Sequence, residues 1–150
     1  MSLIIKSAVR ITGSHYISGM NYKKITAEDL AYFKSVIGNE YVFTDESNIE
    51  KYSRDETDGV KFPPEVVLKP VTPQEISSIL KYCNKHLIPV SPRAAGTGLS
   101  ANSLCVHGGV MLTVERMNKI LKIDKESLQV TTEPGVITEA LQNTLQDKGL

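Results

Sequence analysis

Ile88-Pro89-Val90-Ser91-Pro92-Arg93-Ala94-Ala95-Gly96-Thr97-Gly98-Leu99-Ser100-Ala101-Asn102 is the stretch that decides the fold. A short apolar strand, Ile88 to Val90, runs into a loop of small residues. Backbone N–H groups in such a loop can come close to a large anion. Successive free N–H groups in a tight turn form an anion-binding nest, and phosphate is its usual occupant. Gly96 and Gly98 can take positive φ at no steric cost. Thr97 and Ser100 add hydroxyl donors, and Arg93 adds a permanent cation at the rim. The expectation is a phosphate-bearing cofactor held largely by main chain.

Gly96 to Ala101 also fits G-x-G-x-x-G/A, and Glu115 stands about where a ribose-binding acid belongs. That fingerprint requires the loop to open a helix whose N-terminus faces the pyrophosphate. Residues 100–109 have no apolar periodicity. They end in Gly108-Gly109, directly before the strand-like Val110-Met111-Leu112-Thr113-Val114. The nicotinamide-dinucleotide reading fails on this context.

Upstream, Thr72-Pro73-Gln74-Glu75 is a capping box with proline at the first helical position. Ile76, Ile79, Leu80 and Cys83 follow at helical spacing, and the helix should end near His86. With Ile88–Val90 this makes a strand–helix–strand unit, which predicts parallel pairing. The loop then lies at the carboxyl end of a strand, where ligands gather in open α/β sheets. Earlier still, Thr26 caps a helix with Leu30, Phe33 and Ile37 on one face, closed by Gly38. Tyr41–Phe43 reads as extended and Asp45–Tyr52 as a short helix. Arg54, Asp55 and Asp58 read as a surface ion-pair cluster, which contributes little.

Downstream the character turns to β. Leu121–Asp124 and Leu128–Thr132 flank the polar turn Lys125–Ser127 as a hairpin. Glu133-Pro134-Gly135 breaks the strand in a tight turn. Two readings of that turn stay open: a plain turn, or one that also lies on the cofactor. Thr138 is expected to cap a last helix closed by Gly149.

At 150 residues there is room for one domain with a real core. Seventeen basic and seventeen acidic residues cancel, so charge gives no reason to propose nucleic acid or an anionic membrane as partner. No apolar run approaches the length of a membrane span. Cys83 and Cys105 fit a reducing compartment, with Cys83 as a small buried hydrophobe. His15, His86 and His107 lack metal-ligand spacing. From Met1 to Ala27 there is no acid. That stretch reads as a leader or extension over residues 1–20, or as a transit peptide. The expected location is cytoplasmic, at the periphery of a membrane, or mitochondrial if the N-terminus is a transit peptide.

Four segments together resemble the FAD-binding domain of the vanillyl-alcohol oxidase/p-cresol methylhydroxylase superfamily. Within it they resemble the FAD-linked D-lactate dehydrogenase and glycolate oxidase flavin-subunit group. The segments are Tyr52-Ser53-Arg54-Asp55-Glu56-Thr57, then Val66–Pro70 leading into Thr72–Ile76, then Ile88–Ser100, and finally Gly109–Leu112 with Glu115–Ile120 and Glu133–Val136. Two departures stand out. Ala94 stands where the family usually has glycine, and Ala101-Asn102 replaces Gly-Gly.

The resemblance implies an α+β fold: a small α/β subdomain and the start of a second, more antiparallel one, truncated at its C-terminus. Residues 21–61 would form an N-terminal helical segment and 62–150 the incomplete FAD-binding domain. The implied cofactor is FAD. Pro92, Arg93, Ala94, Ala95, Gly96, Thr97, Gly98, Leu99 and Ser100 would hold its pyrophosphate, with Pro134 and Gly135 beside them. The implied activity is oxidation of a small 2-hydroxy acid of D-lactate or glycolate type by hydride transfer to FAD. Within a complete family member the segment holding Arg54, Asp55 and Asp58 would help order the domain entrance, without a catalytic role. No catalytic residue is assigned, because the family's candidates lie past Leu150. The substrate site and the rest of the enzyme would lie outside this chain, on a continuation or another subunit. Cut off there, the Val110–Val114 strand is expected to lack neighbours. The reading from a different class is a catalytically inert nucleotide-binding piece.

Overall fold

The structure is a computed structural model that describes residues 21–150, so the leader and transit-peptide readings of residues 1–20 lie outside the described residues. Helix α1 spans Ala27–Ile37, strand β1 Val42–Phe43 and helix α2 Glu46–Lys51. Strand β2 (Val66–Leu68), helix α3 (Pro73–His86) and strand β3 (Val90–Arg93) follow. Strands β4 (Val110–Thr113), β5 (Ile120–Asp124) and β6 (Gln129–Thr132) precede helix α4 (Thr138–Gln146).

Both long helices begin where their caps say they should. Thr26 and Asp29 form a full capping box at α1, as do Thr72 and Glu75 at α3. Gly38, at φ 91, lets the chain leave α1 in a conformation most side chains disfavour. Thr138 does not cap α4. It is the first helical residue, and Ile137 stands at the cap without a side-chain hydrogen bond.

The main sheet has the order β1-β2-β4-β3. β4 pairs in parallel with β2 and with β3, while β1 runs antiparallel to β2. The unit β2–α3–β3 therefore does not pair its own strands, because β4 is inserted between them. The connection from β3 to β4 is a parallel crossover made by the loop alone, with no helix. β4 is the central strand, fully paired and buried along its length. This corrects the expectation that Val110–Val114 would lack neighbours.

Alternation on the central strands builds two cores. Val66, Leu68, Val110 and Leu112 face one way and pack with Phe33, Ile37, Ile79, Cys83 and Ile88. Val67 and Met111 face the other way and pack with Tyr52 and Cys105. Parallel strands covered on both faces read as near-continuous apolar runs, which explains Val-Val-Leu and Val-Met-Leu. Each fully buried aliphatic side chain contributes about 1.5–3 kcal/mol.

β5 and β6 form a separate antiparallel hairpin. Its far end is tied back to the β4–β5 connection: Gly135 N–H donates to Met117 O at 2.8 Å, and Glu133 N–H donates to Lys119 O at 2.9 Å. A Cβ on Gly135 would overlap the carbonyl oxygen of Val114, so glycine is required there for close backbone packing. Asp29, in the first turn of α1, is fully buried. It accepts hydrogen bonds from Lys23 Nζ (2.7 Å) and from the Tyr82 hydroxyl (2.8 Å), which ties the N-terminal approach to α3.

Candidate functional site

β3 and β4 run parallel and end side by side, with Arg93 opposite Thr113. The loop that leaves β3 and the residues that follow β4 therefore share the carboxyl edge of the sheet. Pro92 and Arg93, expected in the loop, are the last residues of β3. Among the described residues, the N–H groups of residues 94–100 donate no hydrogen bond, whereas Ala101 N–H donates to Thr57 Oγ1 at 2.8 Å. This is the main-chain donor set that an anion-binding loop needs.

Gly96 has φ +74 and Gly98 does not enter the left-handed region, so only the first glycine is required for its backbone conformation. Ala101 is itself left-handed, at φ 55, at the position where the resembled family usually has glycine.

Arg93 is not a free cation at the rim. Its guanidinium donates to Arg54 O (2.8 Å) and to Ser103 Oγ (3.4 Å), and it lies 5.6 Å from the centre of the Tyr52 ring. The expected Arg54–Asp55–Asp58 ion-pair cluster does not form. Arg54, beyond the end of α2, lies 3.8 Å from Glu50, and Asp55 accepts instead from Thr57 N–H (3.0 Å) and the Ser103 hydroxyl (3.2 Å).

Three adjoining cavities follow the loop. One of about 350 Å³ is lined by Pro92, Arg93, Gly96, Gly98, Asn102 and Ser103. A second, of about 360 Å³, lies between Ala94, Ala95 and Thr97 on one side and Pro134, Gly135 and Ile137 on the other. A third, of about 220 Å³, reaches from Ala94 and Ala95 to Glu115, Asn118 and Val136. The loop and the Pro134-Gly135 turn thus face each other across shared space. Leu99 and Ser100 form the exposed tip and line none of these cavities.

Glu115 fits the acid of a dinucleotide fingerprint that fails on context, and it opens one segment of the family resemblance, with no site role given to it by either. In the structure its carboxylate sits at the third cavity, accepting from the Tyr52 hydroxyl (2.6 Å) and from Lys69 Nζ (3.1 Å). Burial pushes this carboxyl up, and Tyr52 and Lys69 more than reverse that, holding it below the usual range. Burial together with the Glu115 partner raises the Tyr52 hydroxyl. One sequence signal points here: Tyr52–Thr57 carries part of the resemblance.

Residues 64–150 match the model of a family described as FAD binding domain. The chain belongs to the FAD binding domain family. FAD is the cofactor, and the free N–H groups, left-handed Gly96 and adjoining cavities fit its diphosphate. D-lactate dehydrogenase of Anaerostipes hadrus is 35% identical over 135 residues, covering 89% of this chain and 28% of the relative. Glycolate oxidase subunit GlcD of Bacillus subtilis (strain 168) is 40% identical over 108 residues, covering 71% of this chain and 23% of the relative. The chain thus spans about a quarter of the length of these relatives. Among solved structures, 4-ethylphenol oxidase from Gulosibacter chungangensis aligns with a TM-score of 0.73 at 29% identity, over 87% of this chain and 27% of that one. A p-cresol methylhydroxylase structure aligns at 0.73 and 24% identity, over 86% and 27%, which supports the fold. The expected p-cresol methylhydroxylase type of FAD-binding domain, present here in part, is what these likenesses show.

Proposed function

We propose that this chain is the pyrophosphate-holding part of a flavin-dependent oxidoreductase that oxidises a small 2-hydroxy acid of D-lactate or glycolate type. The observation that carries this is the loop of free main-chain donors at the carboxyl end of β3, facing the Pro134-Gly135 turn, in a member of an FAD-binding family. The substrate class rests on the relatives named D-lactate dehydrogenase and glycolate oxidase subunit.

In this reading Ala94 to Gly98 give their N–H groups to the diphosphate, and their small side chains let it approach. Arg93 holds the loop's incoming arm and lends its charge from beneath. Pro134 and Gly135 form the facing wall. Bound FAD supplies the capacity to accept a hydride, and the protein binds and orients it. The residues that orient substrate and take its proton belong to the remainder of the enzyme, on the same or another chain.

The test is anaerobic mixing of the complete flavoprotein with D-lactate, glycolate, L-lactate and D-2-hydroxyglutarate. Loss of oxidised-flavin absorbance with one of the D- or unsubstituted hydroxy acids is expected. A protein that holds FAD but is reduced by none of them would instead be an inert nucleotide-binding module or act on another substrate class.

A further inference from the structure

The segment Arg54–Thr57 lies against the cofactor loop and holds both of its arms. On the incoming arm, Arg93 donates to the carbonyl of Arg54 at 2.8 Å. On the outgoing arm, Thr57 Oγ1 accepts from Ala101 N–H at 2.8 Å, and Asp55 accepts from the Ser103 hydroxyl at 3.2 Å. Asp55 also accepts from Thr57 N–H at 3.0 Å, which locks the two brace residues to each other. Between the held arms lie the residues whose N–H groups have no partner among the described residues.

Two features show that the brace acts on the loop. First, Ala101 sits at φ 55, a left-handed conformation that is strained for a residue with a Cβ. Its N–H is held by Thr57 and its C=O accepts from Leu104 N–H at 3.2 Å, so both of its peptide groups are pinned. Second, Asp55 Oδ2 lies 3.8 Å from where a Cβ on Gly98 would stand. A carboxylate beside a diphosphate site repels the ligand. Its hydrogen bonds to Ser103 on the outgoing arm and to Thr57 within the brace are what its presence there offers in return.

We propose that Thr57 and Asp55 are positioning residues for the cofactor: they clamp Ala101 and Ser103 against Arg93 and so keep the N–H groups of residues 94–100 free for a diphosphate. The proposal rests on the reading that this loop holds the FAD pyrophosphate. Thr57 acts as an acceptor for Ala101. Asp55 acts through its hydrogen bonds, with its charge opposing the function it supports.

The experiment uses the complete protein stripped of flavin, with FAD affinity read by flavin fluorescence and the bound diphosphate by phosphorus NMR. Thr57→Val should weaken FAD about ten-fold, from one lost hydrogen bond with the left-handed cost exposed. It should also shift the phosphorus resonances of bound FAD. Thr57→Ser should restore both, and adding Ala101→Gly to Thr57→Val should recover most of the affinity. Asp55→Asn, which keeps the hydrogen-bonding shape without the charge, should bind FAD at least as tightly as the unchanged protein, while Asp55→Ala should bind it more weakly.

An unchanged affinity and unchanged phosphorus spectrum in Thr57→Val overturn the proposal, as does a ten-fold loss in Asp55→Asn. If Thr57→Val does not fold, the Asp55→Asn and Asp55→Ala pair decides by itself. Gly96→Val separates the two levels of the argument. If it keeps FAD, the loop reading itself fails. If it loses FAD while the brace variants behave as the unchanged protein, the brace alone fails.

Discussion

Arg93 folds its guanidinium over the Cα of Gly96, so that a Cβ placed on Gly96 would overlap it. Gly98, two residues on, faces open space apart from the Asp55 carboxylate at 3.8 Å. The two glycines therefore answer different questions. Gly96→Val should both strain the backbone at φ +74 and displace Arg93, with loss of FAD and a lower melting temperature. Gly98→Val should leave the melting temperature near that of the unchanged protein and lose FAD, because only the approach of the ligand is blocked. Flavin-to-protein ratios and thermal melts of the two variants check this. A yellow Gly98→Val protein with a full complement of flavin would remove Gly98 from the site.

The Pro134-Gly135 turn yields the opposite pattern. A Cβ on Gly135 meets the backbone carbonyl of Val114, which cannot move aside as a side chain can. Gly135→Ala should therefore reduce stability in flavin-free protein, ahead of any effect on binding. Denaturant melts of the stripped protein test this, and an unaltered midpoint would contradict the close packing.

Tyr52 and Lys69 both hold the Glu115 carboxylate, so removing either partner leaves a half-buried charge short of a bond. Tyr52→Phe should cost about 1–3 kcal/mol, the range for stripping a partner from a buried polar group. A double-mutant cycle with Glu115→Gln should show coupling, since the two side chains share one 2.6 Å hydrogen bond. Strict additivity would mean that the contact carries no stability.

Asp29 gives the molecule an acid-sensitive joint. Burial pushes its carboxyl up, but Lys23, Thr26 and Tyr82 more than reverse this and hold it well below the ordinary carboxylate range. A depressed native value contributes stability that is fully present above the unfolded value, about 3.9, and is lost as pH falls toward the native value. The melting-temperature gap between the unchanged protein and Asp29→Asn should be steady above about pH 5 and shrink below about pH 4. A gap that stays constant down to pH 2 would assign Asp29 no such role.

Cys83 should be inert. Burial pushes its thiol up to about 12, with the Asp29 charge adding to the effect. At pH 8 essentially none is thiolate, the reactive form. Alkylation by iodoacetamide should await unfolding, and mass spectrometry of briefly treated native protein checks it.

The helices were readable from sequence because their signals are local. Thr26/Asp29 and Thr72/Glu75 stand three residues apart, and the capping boxes formed as those spacings require. The loop between β3 and β4 was readable as a loop for the same reason, since small residues crowd into one short stretch. The long-range placements were not. Nothing local to Val110–Thr113 says that this strand inserts between β2 and β3, because strand order is set by which faces the whole sheet must bury. Thr57 and Ala101 meet across 44 residues of chain, and Tyr52 and Glu115 across 63. Arg93 was legible as a charge beside the loop, but its partners Arg54 and Ser103 come from elsewhere in the chain. Thr138 misled because a threonine before an apolar stripe looks like a cap, whereas Ile137 occupies that position without a side-chain bond.

Strand β3 lies at one end of the sheet and pairs, among the described residues, only with β4. Arg93 O accepts from Val114 N–H, so the ladder groups of Arg93 point toward β4 and those of its neighbour Pro92 point away. At that outward position any other residue would offer an N–H to a passing strand; proline has none to offer. This margin of the sheet is thereby a poor template for strand addition. Replacing Pro92 with a β-former such as valine would give the protein a sticky edge and a greater tendency to self-associate.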